Sequence, residues 1–294
     1  MTTPSIAPRR AGAERTLISL TALFAAAVSM VEPVPAGAQA QAQAGAQSAT
    51  GVRGYCSDRP GLGTPSCTID RGRISVETGL VDWQRDRSTG SVSDLALIGE
   101  TLVRIGVGDA IEIFGGARPL AVARIRENDA GGSTIRGTGD ALMGVKVNLA
   151  NPDGSGFSVA VMPFATLPLG NKALGAGRWT AGISVPLSYA IRDDISLQLT
   201  PRIDASADQA GYGRHPACGL VAGVGMALRD AVSITHELAV ERDHDPGGPT
   251  TRSYLASSLA WMLRHDLQFD FGAVLGLDAA SPDARFYVGI ARLF

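Results

Sequence analysis

Apolar and polar residues alternate with a period of two along most of the chain from about residue 73. Residues 267–277 are one example, with Leu267, Phe269 and Phe271 on one parity and Gln268 and Asp270 on the other. Successive side chains of a strand point to opposite faces, so this pattern predicts strands. We place twelve of them, near 73–82, 94–104, 110–118, 140–150, 157–167, 179–190, 195–204, 219–228, 231–241, 252–263, 267–277 and 285–294.

The connections between these segments alternate in length. Tight turns are expected at 104–109, 151–156, 192–194, 229–230 and 264–266. The longer connections are rich in Gly, Pro and charge, and they cover 83–93, 119–139, 168–178, 205–218, 242–251 and 278–284. Single-chain bacterial barrels have an even strand number, short periplasmic turns and longer external loops. We therefore predict an all-β fold over 73–294, a transmembrane antiparallel up-and-down β-barrel of about 12 strands with its polar face toward the lumen.

The final strand points to the same class of protein. Phe286, Val288, Ile290 and Phe294 share one parity, and the chain stops on an aromatic residue. This ending resembles the C-terminal assembly signal of bacterial outer-membrane barrels, which implies the barrel assembly machinery as a partner. An ordinary amphipathic edge strand is the alternative.

The other end of the chain predicts export. Arg9, Arg10 and Arg15 precede an apolar run over 17–30, and small residues follow at 35–40. This order is typical of a secretory signal peptide, with cleavage after Ala38 or Ala40. The apolar run is shorter than the roughly 20 residues that a membrane-spanning helix needs. We assign 1–38 as the signal peptide and 39–72 as a periplasmic N-terminal segment.

Composition adds a disulfide and removes one class of partner. Cys56 and Cys67 flank a Pro- and Gly-rich loop, and in an oxidising periplasm we expect them to form a disulfide. The remaining Cys218 is expected to fill a loop–strand junction. The net charge is −2 and the chain holds only two lysines, Lys146 and Lys172, so nucleic acid is not an expected partner.

Charged residues on the polar parity are candidates for the lumen wall. They are Glu77, Asp94, Glu100, Arg104, Glu112, Arg118, Lys146, Arg202, Glu237 and Asp270. Both signs are present, which fits a charged pore that passes small polar or amphipathic solutes. It also fits a cross-paired network in a narrow barrel, or a lumen plugged by the N-terminal segment.

The middle of the chain carries specific motifs. They are Gly137-Thr-Gly-Asp140-Ala-Leu-Met-Gly144-Val-Lys146, then Leu167-Pro168-Leu-Gly170 and Ala181-Gly-Ile-Ser-Val-Pro186, with Cys56-Ser-Asp-Arg-Pro60 upstream. Together they resemble the outer-membrane family named for the MetA-pathway of phenol degradation. The resemblance implies a barrel in the cell outer membrane, surrounded by its lipid, that carries small hydrophobic or aromatic solutes without catalysis. We expect no cofactor and no bound metal. Asp140, Lys146 and Pro168 match motif positions and are expected to be structural.

Two other functions remain open. Outer-membrane phospholipase also uses a twelve-stranded barrel with a Ser/His pair facing lipid, and His236 faces outward by parity here. Ser233 and Ser253, however, are predicted to point inward. We therefore expect a channel and no enzyme, with a non-conducting envelope barrel or a lipid-modifying enzyme as alternatives.

Overall fold

A computed structural model describes residues 53–127, 131–208 and 213–294. Within these ranges no helix is long and apolar enough to cross a membrane. The predicted signal peptide, 1–38, lies outside the described residues. The strands of the described ranges are β1 (Ile74–Ser88), β2 (Ser91–Gly106), β3 (Ile111–Ala117), β4 (Leu120–Glu127), β5 (Gly131–Gly137), β6 (Ala141–Ala150), β7 (Phe157–Leu167), β8 (Thr180–Ser184), β9 (Leu187–Arg192), β10 (Ile195–Ala207), β11 (Arg214–Arg229), β12 (Val232–Asp243), β13 (Thr250–Arg264), β14 (Leu267–Gly276) and β15 (Ala284–Leu293).

These strands form one closed barrel. β3 and β4 both pair with β2, one after the other along its length. β6 pairs with β3 and β5 pairs with β4, so β5 and β6 together occupy the next position in the barrel. β8 and β9 together occupy the position between β7 and β10. Counting each such pair as one strand gives twelve positions. All neighbours are antiparallel, and β1 pairs with both β2 and β15, so the sheet closes on itself at the seam between the first and last strands. The predicted twelve-stranded up-and-down barrel is confirmed.

Three of the predicted long connections are wrong. Residues 83–93 are strand apart from a tight turn at Thr89-Gly90, where Gly90 has φ 86°. β4 and β5 occupy most of 119–139, and β10 and β11 extend into 205–218. A barrel strand needs only about 9–11 residues to cross a membrane. Strands that continue beyond it face water, lose the apolar parity and so resemble loops in sequence.

The faces of the barrel are inverted relative to a soluble protein. Large apolar side chains are exposed on the outside, among them Ile113, Leu149 and Leu238. Arg104, Lys146 and Glu77 are among the largest fully buried side chains of the described residues. Small soluble barrels fill the interior with side chains that are mainly apolar, whereas lipid demands an apolar exterior.

The last residue takes part in closing the barrel. The Phe294 N–H donates to the Ile74 carbonyl at 2.8 Å, and the Ile74 N–H donates to the Phe294 carbonyl at 3.2 Å. Arg73 Nε also donates to the Phe294 carbonyl, at 2.7 Å. The terminal residue therefore pairs the end of the last strand with the beginning of the first.

We predict that deleting Phe294 lowers the folded fraction, because it removes these bonds at the closing seam. Heat-modifiable electrophoretic mobility of the protein in isolated membranes measures this fraction. Phe294→Ala is the matched control, since it keeps both backbone bonds and removes only the ring. Equal folded fractions of the truncated chain and the parent would contradict the role of Phe294 in closing the barrel.

Candidate functional site

Residues 53–72 lie inside the barrel and are called the plug below. They contact the inner face near the end that carries the short turns; for example, the Thr68 N–H donates to the Pro152 carbonyl at 3.0 Å. Cys56 and Cys67 are joined by a disulfide. The sequence assigned these residues to a periplasmic N-terminal segment and left open that this segment plugs the lumen. In the structure, polar groups along the plug find their partners on the lumen wall.

A buried ion cluster joins the plug to one side of the wall. Arg104 lies 2.9 Å from Glu77, 2.8 Å from Glu112 and 3.3 Å from Asp58 of the plug. Lys146 lies 2.6 Å from Asp58 and 3.4 Å from Glu112. The side chains of Arg104, Glu112 and Lys146 are 0% exposed, so no water-filled passage touches them at this level.

Backbone groups of the plug complete this cluster. Glu77 accepts hydrogen bonds from the N–H groups of Asp58 and Arg59 at 3.0 and 3.1 Å, and from the Ser57 hydroxyl at 3.1 Å. Arg104 Nη1 donates to the Cys56 carbonyl at 2.6 Å. Buried charges are costly unless they are paired and hydrogen-bonded, and here both conditions are met by the inserted segment.

The middle of the plug is held by another part of the wall, on β12 and β14. Glu237 accepts the N–H groups of Leu62 and Gly63 at 2.7 and 2.8 Å. Arg59 forms a bidentate ion pair with Asp270. Its Nη2 and Nε lie 2.8 and 3.0 Å from the two carboxylate oxygens. The plug thus contacts β3 on one side of the barrel and β12 on the other, and it crosses the lumen between them.

Neutral groups fill the remaining contacts. Ser66 Oγ lies 2.8 Å from Ser158 Oγ and 2.6 Å from Ser188 Oγ, on β7 and β9. The Tyr55 and Ser75 hydroxyls lie 2.7 Å apart. Burial raises the pKa of Tyr55 well above its ordinary value, so its hydroxyl stays protonated. Within the described residues, no group of His, Cys, Asp or Glu is arranged to hold a metal ion.

The other end of the lumen is an open vestibule. Arg118 pairs with Glu100 at 2.5 Å, and Arg202 pairs with Asp204 at 2.7 Å. The Arg118 and Arg202 side chains are 47% and 51% exposed although they project from the inner parity. Water therefore reaches the lumen above the plug.

The sequence did not reveal an ion pair between Asp82 and Arg285. Arg285 Nη2 lies 2.5 Å from the Asp82 carboxylate. Their pairing register puts them on the same face as Gly79 and Gly289. An extra residue in β1, between Gly79 and Val81, reverses the parity from that point and brings Asp82 inward.

Asp94 is misplaced by the prediction for the same reason. The irregularity at Leu80 continues into the neighbouring strands. Leu80 of β1 lies beside Gly99 of β2, and Gly99 lies beside Pro119, which separates β3 from β4. Gly99 has a φ of 72°, which favours glycine. Beyond this irregularity Asp94 lies opposite Arg85 on the outward face.

The ten lumen candidates therefore fall into three groups. Six contact or adjoin the plug, three line the vestibule, and Asp94 faces outward. The first group is Glu77, Arg104, Glu112, Lys146, Glu237 and Asp270, and the second is Glu100, Arg118 and Arg202.

The glycine-rich motif over residues 137–146 forms part of the barrel wall at the height where the plug ends and the vestibule begins. Asp140 accepts the N–H groups of Gly170 and Ala176 at 3.2 and 2.7 Å, which folds the connection after β7 against the start of β6. A Cβ at Gly144 would lie 2.3 Å from Phe114 Cζ. Lys146 reaches the plug at Asp58. The motif residues are therefore explained by packing and charge pairing.

This motif and its surroundings match a known family. The model of the family described as "Putative MetA-pathway of phenol degradation" matches residues 57–292. The chain belongs to this family. The match begins at residue 57, inside the plug, and ends at residue 292 in the last strand, so most of the plug is part of the shared sequence. No curated protein matches the chain.

The solved structures similar to this chain include channels and porins. The COG4313 outer membrane channel from Pseudomonas putida F1 superposes with a TM-score of 0.61 at 13% identity, covering 80% of this chain and 99% of that one. The NanC porin reaches 0.47 at 10% identity, covering 74% and 98%. The CymD monoaromatic hydrocarbon channel reaches 0.40 at 8% identity, covering 76% and 88%. At these identities the likeness concerns the fold.

We predict that Gly144→Ala lowers the free energy of unfolding of this protein by about 1–3 kcal/mol, the usual cost of overpacking. The added methyl group would meet the Phe114 ring and the Pro163 carbonyl at 2.5 Å. Unfolding in urea from lipid vesicles measures the change. Gly248→Ala is the matched control, because no atom lies within 4 Å of its added Cβ; equal midpoints for both variants would contradict this packing.

Proposed function

We propose that the protein is an outer-membrane channel for small solutes, in which the plug must move before a solute passes. The observation that carries the proposal is the contrast within one lumen. The vestibule is lined by half-exposed Arg118 and Arg202, whereas Arg104 and Lys146 beside the plug are fully buried. A solute that enters from the vestibule meets the plug.

The exterior supports placement in a membrane. Apolar side chains such as Ile183, Leu238 and Phe271 are exposed on the outer face, a pattern that lipid favours and water does not. The sheet closes on itself, as an antiparallel membrane barrel requires. The outer membrane is the membrane in which single-chain bacterial barrels of this kind lie.

The vestibule favours small amphipathic or aromatic solutes. The Arg202 guanidinium lies 4.4 Å from the centroid of the Phe164 ring, and both belong to the inner parity. Phe164 is buried beneath this guanidinium, whereas the Arg202 side chain is half-exposed to the vestibule. An accessible cation suits a solute that carries an aromatic ring or a polar group. Membership of a family named for phenol degradation agrees with this solute class.

Locking the plug to the wall tests whether it gates passage. A Cβ at Gly63 would lie 3.1 Å from Thr200 Oγ1, so Gly63→Cys with Thr200→Cys lies within reach of a disulfide. All chains carry Cys218→Ser to remove the free thiol. Single-channel conductance in planar bilayers is measured for the double variant and for each single variant as a matched control.

We predict discrete conductance steps for the single variants under applied voltage and at least a tenfold lower step frequency for the oxidised double variant. Reductant should restore the steps; it also opens Cys56–Cys67, so the single variants are measured in the same reductant. Undiminished steps in the locked variant would mean that solutes bypass the plug. No conductance or solute uptake by folded single variants would overturn the channel proposal.

A second candidate function rests on a pair of residues facing lipid. His236 Nδ1 lies 2.7 Å from Ser257 Oγ on the neighbouring strand, and both are on the outward parity. His236 also lines an apolar hollow of about 720 Å³, with Tyr189 and Leu199. We rank lipid hydrolysis second because acyl transfer also needs donors for the developing oxyanion, and the strand N–H groups here belong to the ladder.

We predict that the purified protein hydrolyses no phospholipid above the level of Ser257→Ala. The hydroxyl and the imidazole satisfy one another, which accounts for their presence on the lipid face. Ser253, which was predicted to point inward, pairs with the outward Val240 and therefore faces outward. Fatty-acid release from mixed micelles is the measurement, with Ser233→Ala, at a buried inward position, as the matched control. Release that disappears only in Ser257→Ala would instead assign an acyl hydrolase to this pair.

A further inference from the structure

β1 and β2 continue past the lipid-facing part of the barrel, and β4 and β5 continue the sheet beside them. β1 and β2 contain 15 and 16 residues, whereas about 9–11 suffice to cross a membrane. Trp83 of β1 stacks on Phe286 of β15, with their ring centroids 6.0 Å apart. Trp side chains are enriched at membrane–water interfaces. The residues that follow Trp83 therefore stand beyond the apolar layer.

The outward surface of this extension is rich in arginine. Arg85 lies opposite Asp94, which lies opposite Arg124 of β4. Arg87 and Arg126 flank Val92 in the same way, and Arg136 of β5 lies in register with Val122. All of them share the parity of Trp83. We call this surface the arginine face: Arg85, Arg87, Arg124, Arg126 and Arg136.

The charge of this face is unbalanced. Asp94 accepts from Arg85 Nε at 2.7 Å and from Arg126 Nη2 at 2.5 Å. Arg87, Arg124 and Arg136 are exposed and form no ion pair with the described residues. Asp86 and Glu127, on the same strands, belong to the opposite parity. Asp94 is therefore the carboxylate that lies among the five guanidinium groups, and Asp283, beside Arg85, is a second carboxylate at the margin of this face.

We propose that the arginine face binds the phosphate groups of a phosphorylated glycolipid in the outer leaflet. Guanidinium groups bind phosphate through paired hydrogen bonds and remain charged at any physiological pH. The arginines lie on three strands of a sheet with neighbours about 4.8 Å apart, so they form a broad surface and not a pocket for one small anion. They begin at the Trp83 level, where lipid headgroups lie if the barrel is in the outer membrane as proposed above.

Lipid binding by the refolded mature chain in detergent tests this assignment. The probe is diphosphoryl lipid A, with dephosphorylated lipid A and inorganic phosphate as separate arms, and native mass spectrometry measures the bound fraction. The test variant is R87Q/R124Q/R136Q. The matched control is R192Q/R229Q/R264Q, which removes the same charge at or beside the short turns at the other end of the barrel. Heat-modifiable mobility establishes that each chain is folded.

We predict at least a tenfold weaker affinity of the test variant for diphosphoryl lipid A, and no change for the control. R87K/R124K/R136K should bind more weakly than the parent and more tightly than the test variant, because lysine keeps the charge but not the paired hydrogen bonds to phosphate. Equal binding of dephosphorylated lipid A would overturn the proposal. Competition by inorganic phosphate at equal concentration would also overturn it, since it would indicate an ordinary anion site. The readout does not involve conductance, so its failure is distinct from failure of the channel proposal.

Discussion

The absence of hydrogen-bonding partners in lipid is the constraint on which this structure depends. Each backbone N–H and C=O in the membrane must be paired within the protein, and the pairing of β1 with both β2 and β15 achieves this for the described sheet. The same solvent sends apolar side chains outward. Polar side chains are then confined to a narrow lumen, where their charges need partners of their own.

The plug supplies those partners. Asp58 and the backbone of residues 56–59 satisfy Arg104, Lys146 and Glu77, while Glu237 is satisfied by two plug N–H groups. Removing one member of a buried ion pair typically costs about 3–5 kcal/mol. A plug held by several such contacts stays in place by default. Moving it requires either water in place of the lost partners or a joint rearrangement of wall and plug.

Glycines on both surfaces make this close approach possible. A Cβ at Gly289 would lie 2.3 Å from Arg59 Nη2, and one at Gly61 would lie 2.8 Å from Glu237 Oε1. Larger residues at these positions would displace the ion pair or the carboxylate that fixes the plug. The high glycine content of the chain thus reflects more than turns, because part of it creates room for charged groups inside the barrel.

Alternation of polarity predicts the twelve strands well, because lipid and lumen impose opposite demands on every strand. It cannot predict which lumen charges meet. Arg59 and Asp270 are 211 residues apart, and only the closed barrel brings them together. Parity also fails at a bulge, since one extra residue reverses every later side chain. This is why Asp94 was assigned to the lumen and Asp82 was missed.

The irregularity at Leu80 has a physical result at the rim of the barrel. With unbroken alternation, Arg85 and Arg87 would share the lumen parity of Glu77, and Asp82 would face lipid. The shift instead turns Asp82 inward to meet Arg285 and turns the arginines outward beside Trp83. Below this level the outer face is apolar because its solvent is hydrocarbon. Above it the same parity becomes cationic, which is the change expected where strands pass from acyl chains to phosphate-bearing headgroups.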